Sequence, residues 1–401
     1  MKNILLLSHI YPGAGVPESF TPVVHYFARE WQKLGYNVRV ISIWNYFPFF
    51  YYWVPKWLRN YMVSKYGCAL PERQLRKGAD YTLDNVNVTR LTILKWKPGS
   101  VASEEKLKKM SDNIVQILSD EQFKPEYIIS HWAVPQIYLS KCLKNVYHVP
   151  AALILHEDGK RIKKFPNWRE LIDSIDVFGY RSKNIKSEFE QLFGVPKHSF
   201  HCYSGIPSSY LENIPNRDFS YINRFIYIGY LMPRKYPDVI IEAVNNVYKE
   251  VDYEINIIGD GELRRQLETM VTQSHLQDKV HLQGRLKRED SIPLLDKSDV
   301  FIMVSKNEVF GLVYIEAMAR GCIVVASKGE GMQGIIIDGE NGFLCEAGNK
   351  VELERVLQKI NNMPEELLQR ISRNAINTAM SLSDKEVAKS YLENIFTMTN
   401  E

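Results

Sequence analysis

Residues 298–327, SDVFIMVSKNEVFGLVYIEAMARGCIVVAS, constrain the fold of this chain more than any other stretch. SDVFIMVS (298–305) is a short apolar run ending in a polar Ser, which predicts a buried strand. Lys306 to Gly311 is polar and contains Gly, a turn. LVYIEAMAR (312–320) spaces apolar residues at 312, 313, 315, 318 and 319, a helical period that Gly321 closes. CIVVAS (322–327) is a second buried strand. Strand, turn, helix and strand make a βαβ unit. Its first turn lies at the carboxyl end of a strand, where open α/β sheets bind ligands.

The start of that helix offers unpaired backbone N–H groups around Gly311 and Leu312, and a diphosphate fits such a site. Two carboxylates flank it, Glu308 in the turn and Glu316 in the second helical turn. An ionised carboxylate only accepts hydrogen bonds, so hydroxyls are its fitting partners. A diphosphate between a ribose and a hexose would satisfy the helix end and both carboxylates together. On these residues alone a second reading stays open: a buried Rossmann-type turn with a solvated Glu308 and a capping Glu316.

Glu308-Val-Phe-Gly-Leu-Val-Tyr-Ile-Glu316, followed by AMARGCIVVAS and then IIIDGENGFL (335–344), closely resembles the retaining glycosyltransferases of family 4, which have the GT-B fold. The resemblance runs over most of the chain, strongest between about 225 and 345 and loosest between 44 and 125. It implies an α/β chain of two Rossmann-like domains facing across a central cleft. Residues 1–213 would be an acceptor-binding domain and 217–380 a nucleotide-sugar donor domain, with a C-terminal helix (381–401) crossing back to the first.

The same resemblance assigns roles. Glu316 would hold the ribose hydroxyls, and Glu308 with the backbone of Val309, Phe310, Gly311 and Leu312 the donor sugar. Family members carry Gly-Arg-Leu and a Lys six residues after the Gly, the two cations binding the diphosphate. Here Gly229 and Lys235 match, Tyr230 replaces the Arg, and Arg234 supplies the second cation from beside Lys235. Gly259, in a Gly-Asp-Gly turn, and Arg285 and Leu286, after VHLQG, would line the nucleotide pocket. His156, at the end of the strand AALIL, stands where the family has a His near the reacting sugar, although a lone His is more often structural; His131 and Asp158 are further candidates of that kind. Gly15, with Gly13, matches the Gly-rich loop of the cleft, and Gly334 stands where the family often has Glu.

Composition narrows the setting. At 401 residues, 45% hydrophobic and 24% charged, the chain reads as an ordinary globular protein with room for two or three cores. The N-terminal NILLLSHI reads as a first strand rather than a leader, and no apolar run reaches the roughly 18 residues of a membrane span. Five scattered cysteines without a CxxC predict neither a disulfide framework nor a zinc site, and fit a reducing cytosol. Through residue 215 there are 28 Lys and Arg against 19 Asp and Glu, then 22 against 28. A basic first half suits anionic lipid or a phosphate-bearing acceptor; no nucleic-acid-binding motif accompanies it. Residues 44–66 hold eleven aromatics with Lys56, Arg59 and Lys65 among them. They read as a packed insertion, an interfacial membrane anchor or an acceptor-binding wall.

No Asp-x-Asp occurs, so the metal-bound diphosphate site of the other large glycosyltransferase fold is not expected. The expectation is a metal-free, cofactor-free glycosyltransferase, in the cytoplasm or at the inner membrane face. It would take a UDP- or GDP-sugar to a lipid-linked or growing glycan. A nucleotide-sugar 2-epimerase of the same fold, or a non-catalytic glycan-binding protein at the membrane, are the alternatives.

Overall fold

The computed structural model describes residues 2–16, 22–55, 58, 73–97, 99–308 and 310–400, so Val309 and most of 56–66 from the aromatic stretch lie outside the described residues. The chain divides into two compact units, one of residues 1–203 with 388–401, the other of residues 204–387.

The first unit holds an eight-stranded sheet. Its strands are β1 (Asn3–Ser8), β2 (Asn37–Tyr46), β3 (Ala79–Leu83), β4 (Val86–Leu94), β5 (Tyr127–His131), β6 (Ala151–Leu155), β7 (Val177–Tyr180) and β8 (Ser199–His201). They lie in the order β3-β4-β2-β1-β5-β6-β7-β8, all pairs parallel except β3 with β4. The central strands are continuous apolar runs because helices cover both faces of such a sheet; β5 and β6 are buried at every position. The covering helices are α1 (Val23–Lys33), α2 (Glu104–Asp120), α3 (Gln136–Tyr147), α4 (Trp168–Asp173) and α5 (Lys183–Phe193). The hairpin β3–β4 turns through Asp84 and Asn85, both at positive φ (45° and 63°), the two-residue turn whose twist suits paired strands. The aromatic stretch divides in two. Trp44 and Phe47 are buried as β2 runs on, whereas Phe49, Phe50 and Trp53 are exposed in a short 3₁₀ turn.

The second unit has a six-stranded, wholly parallel sheet in the order β11-β10-β9-β12-β13-β14. Its elements run β9 (Arg224–Ile228), α6 (Pro237–Tyr248), β10 (Glu254–Ile258), α7 (Arg264–Gln273), β11 (Val280–Gly284), α8 (Ile292–Lys297), β12 (Val300–Met303), α9 (Leu312–Ala319), β13 (Ile323–Ser327) and β14 (Phe343–Cys345), then α10 (Lys350–Asn361) and α11 (Glu365–Ser381). This is the doubly wound order whose direction reverses between β9 and β12, the place where such sheets bind ligands.

The units part at Tyr203/Ser204, not in the 213–217 stretch that the sequence suggests. The physical reason lies in two arginines. Arg320, 2% exposed, donates to the carbonyls of Tyr210, Glu212 and Asn213 and to both oxygens of Asp296. Arg217 donates to the carbonyls of Leu295, Asp296, Ser298 and Arg320. The polar, Pro-containing segment is therefore fastened to the second unit as soon as it leaves the first. The last helix, α12 (Asp384–Asn400), starts in the second unit, and from Ala388 onward it belongs to the first. There Trp31 Nε1 donates to the Ala388 carbonyl at 2.8 Å and Tyr391 packs on Phe27 and Trp31.

Two predictions follow from this packing. Arg320→Met strips three backbone carbonyls and Asp296 of their buried donor, and should lower the stability of the second unit by about 1–3 kcal/mol in urea unfolding. The second concerns pH. Burial, against a bond to the Ile43 carbonyl, lowers the His9 pKa to about 4, and burial beside the Arg181 guanidinium holds His131 well below its usual range. The fold keeps both rings neutral, whereas the unfolded chain protonates them near pH 6.5. Their contribution is thus complete above that pH and is lost as pH falls, by up to about 1.4 kcal/mol per pH unit for each ring. The urea midpoint should fall between pH 7 and pH 5, and less steeply in His131→Phe; an unchanged midpoint would refute the burial argument.

Candidate active site

Loops at the carboxyl ends of β9, β10, β11 and β12 carry most of the residues singled out in the sequence. Gly229 follows β9 directly and donates its N–H to the Ile258 carbonyl at 2.9 Å. Gly259 follows β10, at φ +143°, and a Cβ there would stand 1.8 Å from the Gly229 carbonyl oxygen. No residue with a side chain fits that crossing of backbones, which explains the Gly-Asp-Gly turn.

Past Gly229 a single 3₁₀ turn, Pro233–Lys235, brings two cations to the reversal point of the sheet. Lys235 forms an ion pair with Glu308, the side chains being 10% and 14% exposed. Ser305 Oγ donates to the same Glu308 oxygen at 3.3 Å, and Glu330 accepts the Glu308 backbone N–H at 2.8 Å. Arg234 does not join the pair. Its guanidinium donates to the carbonyls of Lys306 and Asn307 at 3.2 and 3.3 Å, bracing the turn that presents Glu308.

Beyond that turn, Gly311 adopts φ +80° and opens α9 with no side chain capping the helix. The first-turn N–H groups near Leu312 keep their anion-binding capacity, and the neighbouring Phe310 is buried. One helical turn on, Glu316 is 5% exposed. Burial raises its pKa, against which work the Arg288 guanidinium and the Tyr210 hydroxyl. Arg288 Nε and Nη2 both reach Glu316 Oε1, at 2.6 and 2.5 Å, while the Tyr210 hydroxyl donates to the Arg288 carbonyl at 2.6 Å. Glu316 is therefore neither solvated nor a helix cap. Arg285 and Leu286 lie in the loop after β11, where the Arg285 side chain is exposed.

Sequence reasoning missed Arg288, Tyr210 and Glu330. Arg288 stands in the charged run KRED, where nothing distinguishes it from its solvated neighbours; only the folding of that loop over α9 reveals its partner. Tyr230, in place of the family's Arg, is 61% exposed and offers its backbone carbonyl to the Tyr227 hydroxyl at 3.1 Å.

In the first unit, the carboxyl ends of the strands gather a set of histidines. His156 follows β6, and its Nε2 lies 2.9 Å from Nδ1 of the wholly buried His131 at the end of β5. Its ring stacks on Trp132 with centroids 4.2 Å apart. Burial first, then the charge of Arg181 and the neighbouring His131, hold its pKa well below the usual range. His9, after β1, packs edge-on to Trp132, and its Nδ1–H donates to the Ile43 carbonyl at 2.8 Å. Gly15 lies in the loop after β1, where Arg90 donates to the Ala14 carbonyl at 2.8 Å. Asp158 pairs with Lys160 and caps its backbone N–H, away from the ring cluster.

Comparison with known proteins agrees with this layout. The family model for glycosyl transferases group 1 matches residues 219–378. An uncharacterized glycosyltransferase of Methanocaldococcus jannaschii is 30% identical over 255 residues, 62% of this chain and 69% of that protein. The lipopolysaccharide core biosynthesis glycosyltransferase LpsE of Rhizobium meliloti is 32% identical over 133 residues, 33% of this chain and 38% of that protein. Among solved structures, the Anabaena protein HepE in complex with UDP has a TM-score of 0.66 at 16% identity, over 99% of this chain and 100% of that one. The two parallel-sheet, Rossmann-like units are those of GT-B glycosyltransferases. With its identity to the M. jannaschii protein sustained over 69% of that protein's length, the chain belongs to the group 1 glycosyl transferases.

Proposed function

We propose that this glycosyltransferase moves a sugar from a nucleotide-diphosphate donor, UDP-linked in preference to GDP-linked, to a lipid-linked or growing glycan of a cell-surface polysaccharide, with retention at the anomeric carbon and without a metal ion. The observation that carries this reading is the Lys235–Glu308 pair set beside the uncapped start of α9. It puts a cation, a helix N-terminus and a hydroxyl-accepting carboxylate at one point of the sheet, which is what a sugar diphosphate offers partners for. The relatives in lipopolysaccharide synthesis support the glycan acceptor, and the UDP complex of the Anabaena protein supports the base. No helix among the described residues is long and apolar enough to cross a membrane. The basic first half of the chain is the feature that suits a peripheral seat on the inner membrane face.

In this reading Lys235 and the N–H groups of α9 take up the charge that develops on the leaving diphosphate, and Arg234 holds the turn that carries Glu308 in place. Such electrostatic stabilisation is usually the largest catalytic term. The bond from the anomeric carbon to the acceptor oxygen forms on the face from which the diphosphate departs. The acceptor's proton passes to a phosphate oxygen of the leaving group, so no protein base is assigned. Glu308 accepts from donor-sugar hydroxyls and Glu316 from the ribose, and Gly229, Gly259, Arg285 and Leu286 line the nucleotide.

Calorimetric titration with UDP, GDP and their sugar conjugates in EDTA tests the proposal. Micromolar binding of one nucleotide set, weakened at least tenfold in Glu316→Ala, is expected; no binding of any nucleotide, or binding only with added metal, would overturn it. Sugar interconversion with release of free UDP and no acceptor would instead indicate a 2-epimerase. The ion pair generates a further expectation. Because Glu308 neutralises Lys235 before a ligand arrives, Glu308→Gln should bind UDP several-fold more tightly while transfer falls on the order of 10²–10³-fold. Equal loss of both would remove Glu308 from competition for the lysine.

A further inference from the structure

His131 and His156 form one link of a longer chain of hydrogen bonds. His131 Nδ1 lies 2.9 Å from His156 Nε2, and His131 Nε2 lies 3.1 Å from the Tyr391 hydroxyl. Tyr391 belongs to the part of α12 that packs on the first unit, and it is 2% exposed. His131 is 0% exposed, stacked on Phe27 with centroids 5.9 Å apart. Arg181, itself 4% exposed and donating to the Cys202 carbonyl, acts on both rings and disfavours positive charge on either.

Two neutral imidazoles in series leave only two arrangements of protons, because each ring has one N–H and one bare nitrogen. In the first, Tyr391 donates to His131 Nε2, His131 Nδ1–H donates to His156 Nε2, and His156 carries its proton on Nδ1. In the second, every bond reverses, and the Tyr391 hydroxyl proton needs another acceptor. Among the described residues that hydroxyl has His131 Nε2 and no other acceptor. The reversed order would bury an O–H without a partner, the costlier arrangement.

We propose that Tyr391 is a positioning residue which, through His131, fixes His156 as an Nδ1–H hydrogen-bond donor. Nδ1 of His156 has no partner among the described residues, so this is the nitrogen left for a ligand. It meets an oxygen acceptor, such as a sugar hydroxyl oxygen, and it cannot take a proton from one.

Nitrogen NMR of the full chain labelled with [¹⁵N]histidine reads the tautomer directly, with His156→Gln identifying the signal. The wild type should show His156 protonated at Nδ1 and bare at Nε2. Nε2 protonation would overturn the proposal, and this spectrum decides even if a variant fails to fold. Tyr391→Phe releases His131 Nε2 to carry a proton, and the His156 signal should move toward the Nε2–H form. An unchanged signal would sink the role of Tyr391. Trp31→Phe, which loosens the same helix by removing the bond to Ala388, should leave the tautomer alone; a shift as large as that of Tyr391→Phe would mean that helix seating, not the relay, is at work.

Discussion

Two opposite charges that meet inside the end of a parallel sheet set the terms for the rest of the second unit. Lys235 and Glu308 are each largely out of water, and each offsets the other's charge there. Their meeting depends on β9 and β12 being neighbours, since the lysine arrives on the loop after one and the glutamate on the loop after the other. Strand order thus does what local sequence cannot, bringing residues 73 positions apart to one point. The surrounding groups keep the carboxylate there. Arg234 ties down the carbonyls before it, Ser305 holds its oxygen and Glu330 fixes its backbone.

Much of this fold is legible in the sequence where period and length agree. β12, its turn, α9 and β13 were readable because an apolar strand, a Gly-containing turn, a 3.6-residue period and another apolar strand follow in 30 residues. β14 was not, since three residues within a Gly-rich run carry no period. The antiparallel β3 also escaped, although Asp84-Asn85 between YTL and VNV is a hairpin signal that could have revealed it. The aromatic stretch stood out as an anomaly, yet its first residues are ordinary strand, with Trp44 and Phe47 inside the core and the exposed rings following.

The site was legible by type and illegible by partner. Strand ends can be marked in a sequence, and so the lysine, the carboxylates and His156 could be. Which side chains face one another at those ends is a property of register and crossover. His131 and His156 meet because β5 and β6 are parallel neighbours, with His131 opposite Ile154. Tyr391 reaches them from 260 residues away, on a helix whose sequence reads only as a closing amphipathic segment.

The two glutamates of the E-x7-E pattern look equivalent in sequence, and the structure makes them different. Glu308 sits in a turn against a lysine from the β9 loop; Glu316 sits on a helix against Arg288 from beyond β11. Each carboxylate is already balanced by a cation, so the unliganded site offers a ligand few free charges. On the proposed reading a diphosphate entering it would exchange partners with Glu308 for Lys235, and the carboxylate so released would be free to accept from hydroxyls. A bare phosphate would gain the lysine and leave Glu308 buried with nothing to accept from, whereas a sugar diphosphate brings its own donors for that carboxylate. Discrimination in favour of the sugar-bearing nucleotide then follows from the cost of an unpartnered buried charge rather than from shape alone.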